Sequence, residues 1–193
     1  MAAVATFAIV AGCAAPTSAL LPDLSTWEAR TRVLGGLDHW RFGGRIGVRT
    51  GDEGFNGKLR WDQDAGKFTA TVSGPLGVGT VRIAGDDQRV VLTDEDGKRT
   101  ELRDVEPDLR ERYGWTIPVS SLRYWALGIP DPSVPAETRF DDAGRLIRLV
   151  QRAWTVDFTR YRDGGGQAMP ALLTAQNSDT RVRLVIDHWV FFE

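Results

Sequence analysis

Apolar positions change their period twice along this chain. Between Ser25 and Leu37 the period is helical: Leu24, Trp27, Leu34 and Leu37 fall on one stripe, with Arg30 and Arg32 elsewhere on the wheel. Ser25 and Glu28 have the spacing of a capping box, and Gly35-Gly36 supplies the stop. From Trp40 the period becomes 2. Leu59 and Trp61 alternate with Arg60 and Asp62, and Phe68, Ala70 and Val72 alternate with Thr69, Thr71 and Ser73. Val81 and Ile83, then Val90 and Leu92, continue the series, and Asp94-Glu95-Asp96-Gly97 reads as a hairpin turn.

A helical interlude follows. Pro107 suits the first turn of one helix, while Pro118-Val119-Ser120-Ser121 opens another, with the serines as caps. That second helix places Leu122 and Trp125 on one side and stops at Gly128 and Pro130. Period 2 then returns. Ile147 and Leu149 lead to Trp154, Val156 and Phe158, Gly164-Gly165-Gly166 is a flexible loop, and Val182, Leu184 and Ile186 close the pattern. Short turns between successive strands predict an antiparallel meander, since parallel neighbours need long crossovers. About ten strands exceed what a flat sheet holds without curling. The expected fold is mainly β (α+β): a strongly curved sheet or barrel with a few helices packed against its mouth.

Composition narrows the function classes. A formal net charge of −2 with both signs interspersed gives no field for nucleic acid. Seven tryptophans spread along the chain imply convergence on one interior. No His or Cys cluster has metal spacing, no Gly-x-Ser-x-Gly elbow surrounds a serine, and His39 and His188 lie far apart, so the chain reads as neither an enzyme nor a cofactor binder. Asp94-Glu95-Asp96-Gly97 and Asp141-Asp142-Ala143-Gly144 read as turns rather than calcium loops.

Two features remain. Ala2 to Ala11 is an apolar run, too short to span a bilayer and of the length of a secretory h-region, although Met1 to Phe7 carries no Lys or Arg. It ends at Val10-Ala11-Gly12-Cys13, which resembles a bacterial lipobox, so residues 1–12 are expected to be a signal and Cys13 to carry lipid. Residues 13–23, with Pro16 and Pro22, read as a tether, and 24–193 as one domain. The second feature is Gly74-Pro75-Leu76-Gly77, where a large apolar residue sits on a loop held by Pro and flanked by Gly. Leu76 either wedges into lipid or folds back on the core.

Several stretches together resemble the LolB family of outer-membrane lipoprotein receptors. They are Trp27, Gly44-Arg45-Ile46, Trp61, Gly74-Pro75-Leu76-Gly77, the run from Ile117 to Pro130 (IPVSSLRYWALGIP), Gln151, Trp154, Met169-Pro170 and Asp187-His188-Trp189. The resemblance implies an unclosed antiparallel β-barrel with a helical lid over an apolar cavity. It implies a monomer that accepts acylated lipoproteins from a LolA-like periplasmic carrier and inserts them into the outer membrane, without nucleotide hydrolysis. Cys13 would anchor it at the periplasmic face, Gly74, Pro75, Leu76 and Gly77 would form the membrane-inserting loop, and Trp61, Phe68, Val72, Trp125, Trp154, Phe158 and Leu184 would line the acyl cavity. The rival reading is a lipid-anchored, lipocalin-like carrier of a small apolar ligand.

Overall fold

The computed structural model describes residues 18–74, 79–86, 88–113 and 117–192. Helix α1 (Trp27–Gly35) leads into β1 (His39–Thr50), β2 (Glu53–Asp64), β3 (Lys67–Ser73), β4 (Val81–Gly85), β5 (Val90–Thr93) and β6 (Arg99–Leu102). Helices α2 (Val105–Tyr113) and α3 (Val119–Leu127) follow. The chain then runs through β7 (Glu137–Phe140), β8 (Leu146–Gln151), β9 (Trp154–Gly164), β10 (Gln167–Gln176) and β11 (Thr180–Phe191). The strands form one 11-stranded sheet in the order β6-β5-β4-β3-β2-β1-β11-β10-β9-β8-β7. Every neighbouring pair is antiparallel.

This order is two meanders zipped together by the first and last strands. The middle of the chain therefore occupies both edges, and α2 and α3 connect edge strand β6 to edge strand β7. Among the described residues β6 and β7 share no ladder, so the barrel is unclosed. The sheet curls as expected for so many strands.

Alternation puts one side of each strand inward. Trp40, Phe42, Trp61, Phe68, Trp189 and Phe191, from β1, β2, β3 and β11, form a run of ring contacts; Trp40 and Trp61 stack at 6.3 Å and Trp61 and Phe68 at 5.0 Å. Each fully buried aromatic contributes roughly 1.5–3 kcal/mol of burial free energy. Trp125 and Trp154 make a second contact pair, with centroids at 6.1 Å. The tryptophans thus converge in two groups within one core, while Trp27 lies at its rim against Phe140 and Trp115 lies outside the described residues.

Five local expectations are corrected. The N-cap of α1 is Thr26, whose hydroxyl accepts from Ala29 N at 3.1 Å, while Ser25 Oγ donates to Asp23 instead. Arg30 is buried, because its guanidinium reaches across to the Leu127 carbonyl. Helix α3 is capped by Pro118 and by neither serine. Gly164 to Gly166 is a tight hairpin between β9 and β10 rather than a flexible loop, with Gly165 and Gly166 at φ 60° and 76°, a left-handed pair that side chains disfavour. The segment read as a free tether is also partly docked: Ala19 N donates to Phe191 O at 2.9 Å and Leu21 N to Gly165 O at 2.8 Å.

Candidate functional site

The concave face of the sheet is apolar, and α3 lies against it. Val119, Leu122, Trp125, Ala126 and Leu127 on α3 are all buried, and the helix ends on Gly128 at φ 75°. Two small clefts border this helix. One, of about 170 Å³, is lined by Phe68, Val90, Leu102, Val105 and Val119 among others. The other, of about 190 Å³, is lined by Leu34, Leu37, Trp40, Gln63, Tyr124 and Leu127 among others. Both fall below the roughly 300–1,000 Å³ typical of small-molecule sites. The described conformation is therefore one with α3 seated against the sheet at these clefts.

The residues expected to line an acyl cavity occupy this interior. Trp61 (β2), Trp154 and Phe158 (β9), Leu184 (β11) and Trp125 (α3) are buried in the common core. Phe68 and Val72 (β3) are half-buried beside it, and Phe68 lines the 170 Å³ cleft. Gly74 follows the end of β3. Pro75, Leu76 and Gly77, like Cys13, lie outside the described residues.

What holds α3 down is a polar network that the sequence reading missed. Trp125 Nε1 donates to Gln151 Oε1 at 3.0 Å, and that oxygen also accepts from Asp131 N at 3.0 Å. Gln151 Nε2 donates to the carbonyls of Asp131 at 2.8 Å and Val134 at 2.7 Å. Ser121 Oγ donates to Asp131 Oδ2 at 3.0 Å, and Arg152 pairs with the same oxygen at 3.3 Å. Gln151, Ser121 and Asp131 are buried, so each bond satisfies a group that water does not reach. Burial alone would raise the Asp131 pKa, but hydrogen bonds from Ser133 and Ser121 together with Arg152 hold it below the usual range. A buried glutamine and serine near a tryptophan were the available signal. Their partners lie 10 to 26 residues away, beyond what local pattern reveals.

Two further groups frame the site. Glu106 of α2 accepts from Ser120 Oγ at 3.4 Å; burial pushes its carboxyl above the ordinary range, more than Arg152 and Ser120 pull it down. Arg30 of α1 donates to the Leu127 carbonyl at the end of α3 at 3.4 Å, a favourable place for a cation beside the helix dipole, although burial lowers its pKa. Its guanidinium lies 5.9 Å from the Tyr161 ring centroid. The Tyr161 hydroxyl donates to Leu146 O at 2.6 Å, and burial pushes its pKa up to about 12. Among the described residues no group of three or more His, Cys, Asp or Glu could hold a metal ion.

Comparison with known proteins gives this geometry a context. The family model described as "Outer membrane lipoprotein LolB" matches residues 38–189. The outer-membrane lipoprotein LolB of Pseudomonas aeruginosa is 35% identical over 191 residues, covering 97% of this chain and 93% of the relative. The protein of the same name from Nitrosococcus oceani is 35% identical over 185 residues, covering 94% and 92%. Among solved structures, a LolA superfamily protein from Nitrosomonas europaea superposes with a TM-score of 0.56 at 7% identity, covering 82% of this chain and 88% of that one, which speaks to the fold alone.

Proposed function

Because this chain belongs to the LolB family of outer membrane lipoproteins, we propose that it receives acylated lipoproteins from a LolA-like periplasmic carrier and inserts them into the outer membrane. It is a lipoprotein receptor at the outer membrane rather than an enzyme. The observation that carries the reading is the pairing of this family match with an apolar concave face covered by α3.

The physical problem is to move acyl chains through water, where each exposed methylene costs about 0.8 kcal/mol. Lifting α3 off the sheet would uncover Trp61, Trp154, Phe158 and Leu184, with Trp125 on the helix side and Phe68 and Val72 at the entrance. Those surfaces would cover the chains in place of one another. No nucleotide is required if the receptor binds the chains more tightly than the carrier and the bilayer accepts them more favourably still. Acylated Cys13 would keep the domain beside the acceptor membrane and raise the effective concentration of lipid. Leu76, within Gly74-Pro75-Leu76-Gly77, would enter the lipid surface at release.

The test is transfer from loaded carrier to this protein and onward to liposomes. Leu76→Glu should receive cargo at the wild-type rate and insert it at least tenfold more slowly. Wild-type insertion by that variant would remove the role given to the loop, and no reception by the wild-type chain would remove the function.

A further inference from the structure

The convex face of the sheet carries a depression unrelated to the acyl interior. About 360 Å³ in volume, it lies over β11, β1 and β2 and reaches Gly74 at the end of β3. Its floor is formed by Gly47 and Val185, and its rim is cationic, with Arg45, Lys58 and Arg183. Gly47 makes the dip: a Cβ there would have only Asn56 Cβ nearby, at 4.0 Å, so the space is open rather than needed for close packing.

The charges on this face are only partly neutralised. Arg45 stands opposite Lys58 in the β1–β2 ladder, and Arg49 stands opposite Arg181 in the β1–β11 ladder. Like charges opposed across strands destabilise a pair. Asp187 engages Arg45, and Asp62 engages Arg41 and Arg60, but no carboxylate of the described residues pairs with Lys58 or Arg183. In a chain of net charge −2, Lys58 and Arg183 are thus two cations on this face with no ion-pair partner among the described residues.

The path of the chain says which way this face points. The segment before α1 is pinned at Ala19 to Phe191, the far end of β11. Gly74 lies near the level of Leu184, because Leu184 pairs with Ile46, Ile46 with Gly57, and Ser73 with Lys58. Seven residues of β11 separate the two levels, about 23 Å at about 3.3 Å per residue. Six residues separate Cys13 from Ala19, a contour of at most about 22 Å. With β11 along the membrane normal, the segment from Cys13 to Ala19 would have to be stretched to its full contour for an acylated Cys13 to reach even the level of Gly74. Inclining β11 toward the membrane plane brings a sheet face down onto lipid, and the convex face is the one without helices.

We propose that this groove, rimmed by Arg45, Lys58 and Arg183, is a docking surface for anionic phospholipid headgroups, which holds the domain on its side against the bilayer during insertion. The proposal deepens the function above and rests on its placement of Cys13 and the loop at the membrane. The test uses the acylated full chain in phosphatidylethanolamine vesicles, with and without phosphatidylglycerol, containing lipid with a nitroxide on the headgroup. A fluorophore on Asn56→Cys reports the groove, and one on Thr155→Cys reports the convex face across the sheet.

Quenching is expected at position 56 and not at 155, and it should strengthen with phosphatidylglycerol. Lys58→Glu with Arg183→Glu should lower the docked-to-undocked ratio by roughly 30-fold or more, the loss of two surface cations. Gly47→Leu fills the floor while keeping the charges and should also reduce quenching. Equal quenching at both positions, or no effect of either variant in protein with a wild-type unfolding midpoint, overturns the proposal. Slower reception from the carrier with unchanged quenching overturns it as well, assigning the cations to an acidic protein. Because quenching is read without cargo, failed insertion by Leu76→Glu or failed reception by the wild type is scored separately.

Discussion

Replacing Gln151 with leucine tests whether the polar network holds α3 on the sheet. The two side chains are similar in size, so the change removes hydrogen bonds with little change in packing. Trp125 Nε1 and Asp131 N lose their acceptor, and the Asp131 and Val134 carbonyls lose a donor. A buried donor left without a partner costs about 1–3 kcal/mol, so the two N–H groups set a loss of about 2–6 kcal/mol. Against a domain stability of about 5–15 kcal/mol that loss is large. Local release can limit it, since lifting α3 returns these groups to water. Urea unfolding followed by tryptophan fluorescence gives the global loss, and hydrogen exchange at residues 119–127 gives the local one. Exchange at α3 should speed up more than exchange in β1 and β11. Trp125→Phe removes one orphaned donor in advance, so the double variant should lose about 1 kcal/mol less than the sum of the singles. A loss below about 0.5 kcal/mol for Gln151→Leu, or strict additivity, would show that the network does not secure the helix.

Two further outcomes follow from packing and charge. A Cβ at Gly44 would sit 2.0 Å from the Val185 carbonyl oxygen, beside the bulge where β1 and β11 shift register, so Gly44→Ala should cost at least about 1–3 kcal/mol in a denaturant melt. Gly47→Ala, with open space above it, should stay within about 0.5 kcal/mol and serves as the control. Glu106 has a folded pKa above 4.5, so its effect on stability is most favourable below that pH and is lost as pH rises through the folded value. Glu106→Gln should therefore raise the unfolding midpoint at pH 7 relative to wild type, with the gain shrinking toward pH 4. A gain that grows on acidification would contradict the assigned burial effect.

Much of the sheet was legible because its causes are local. The alternation of Trp154, Val156 and Phe158 with Thr155 and Asp157 depends only on which side of a half-buried strand each residue faces, and β9 follows it. The Asp94 to Gly97 turn is equally local, with Gly97 N donating back to the Asp94 carbonyl. Strand β10 was harder to read. Met169-Pro170-Ala171-Leu172-Leu173 does not alternate, because register shifts at Pro170 to Leu173 turn neighbouring residues to the same side. Arg30 was placed off the apolar stripe by its charge, yet its partners are Leu127 and Met169, which sequence distance conceals. The same holds for Ser121, a good cap by composition whose hydroxyl is used by Asp131 after the helix. Family resemblance named the residues of the interior. It could not tell that in this conformation α3 packs onto them.

The gap between β6 and β7 has a mechanical consequence. A closed barrel has a circumference fixed by strand number and stagger, and its bore cannot widen without tearing a ladder. Here the perimeter is interrupted at two short edge strands of four residues each, bridged by helices rather than by backbone pairing. The sheet can uncurl like a sprung cuff and keep all ten of its strand-to-strand ladders. Expanding the bore then works against side-chain packing and the Gln151 hydrogen bonds that seat α3, while no strand ladder is broken.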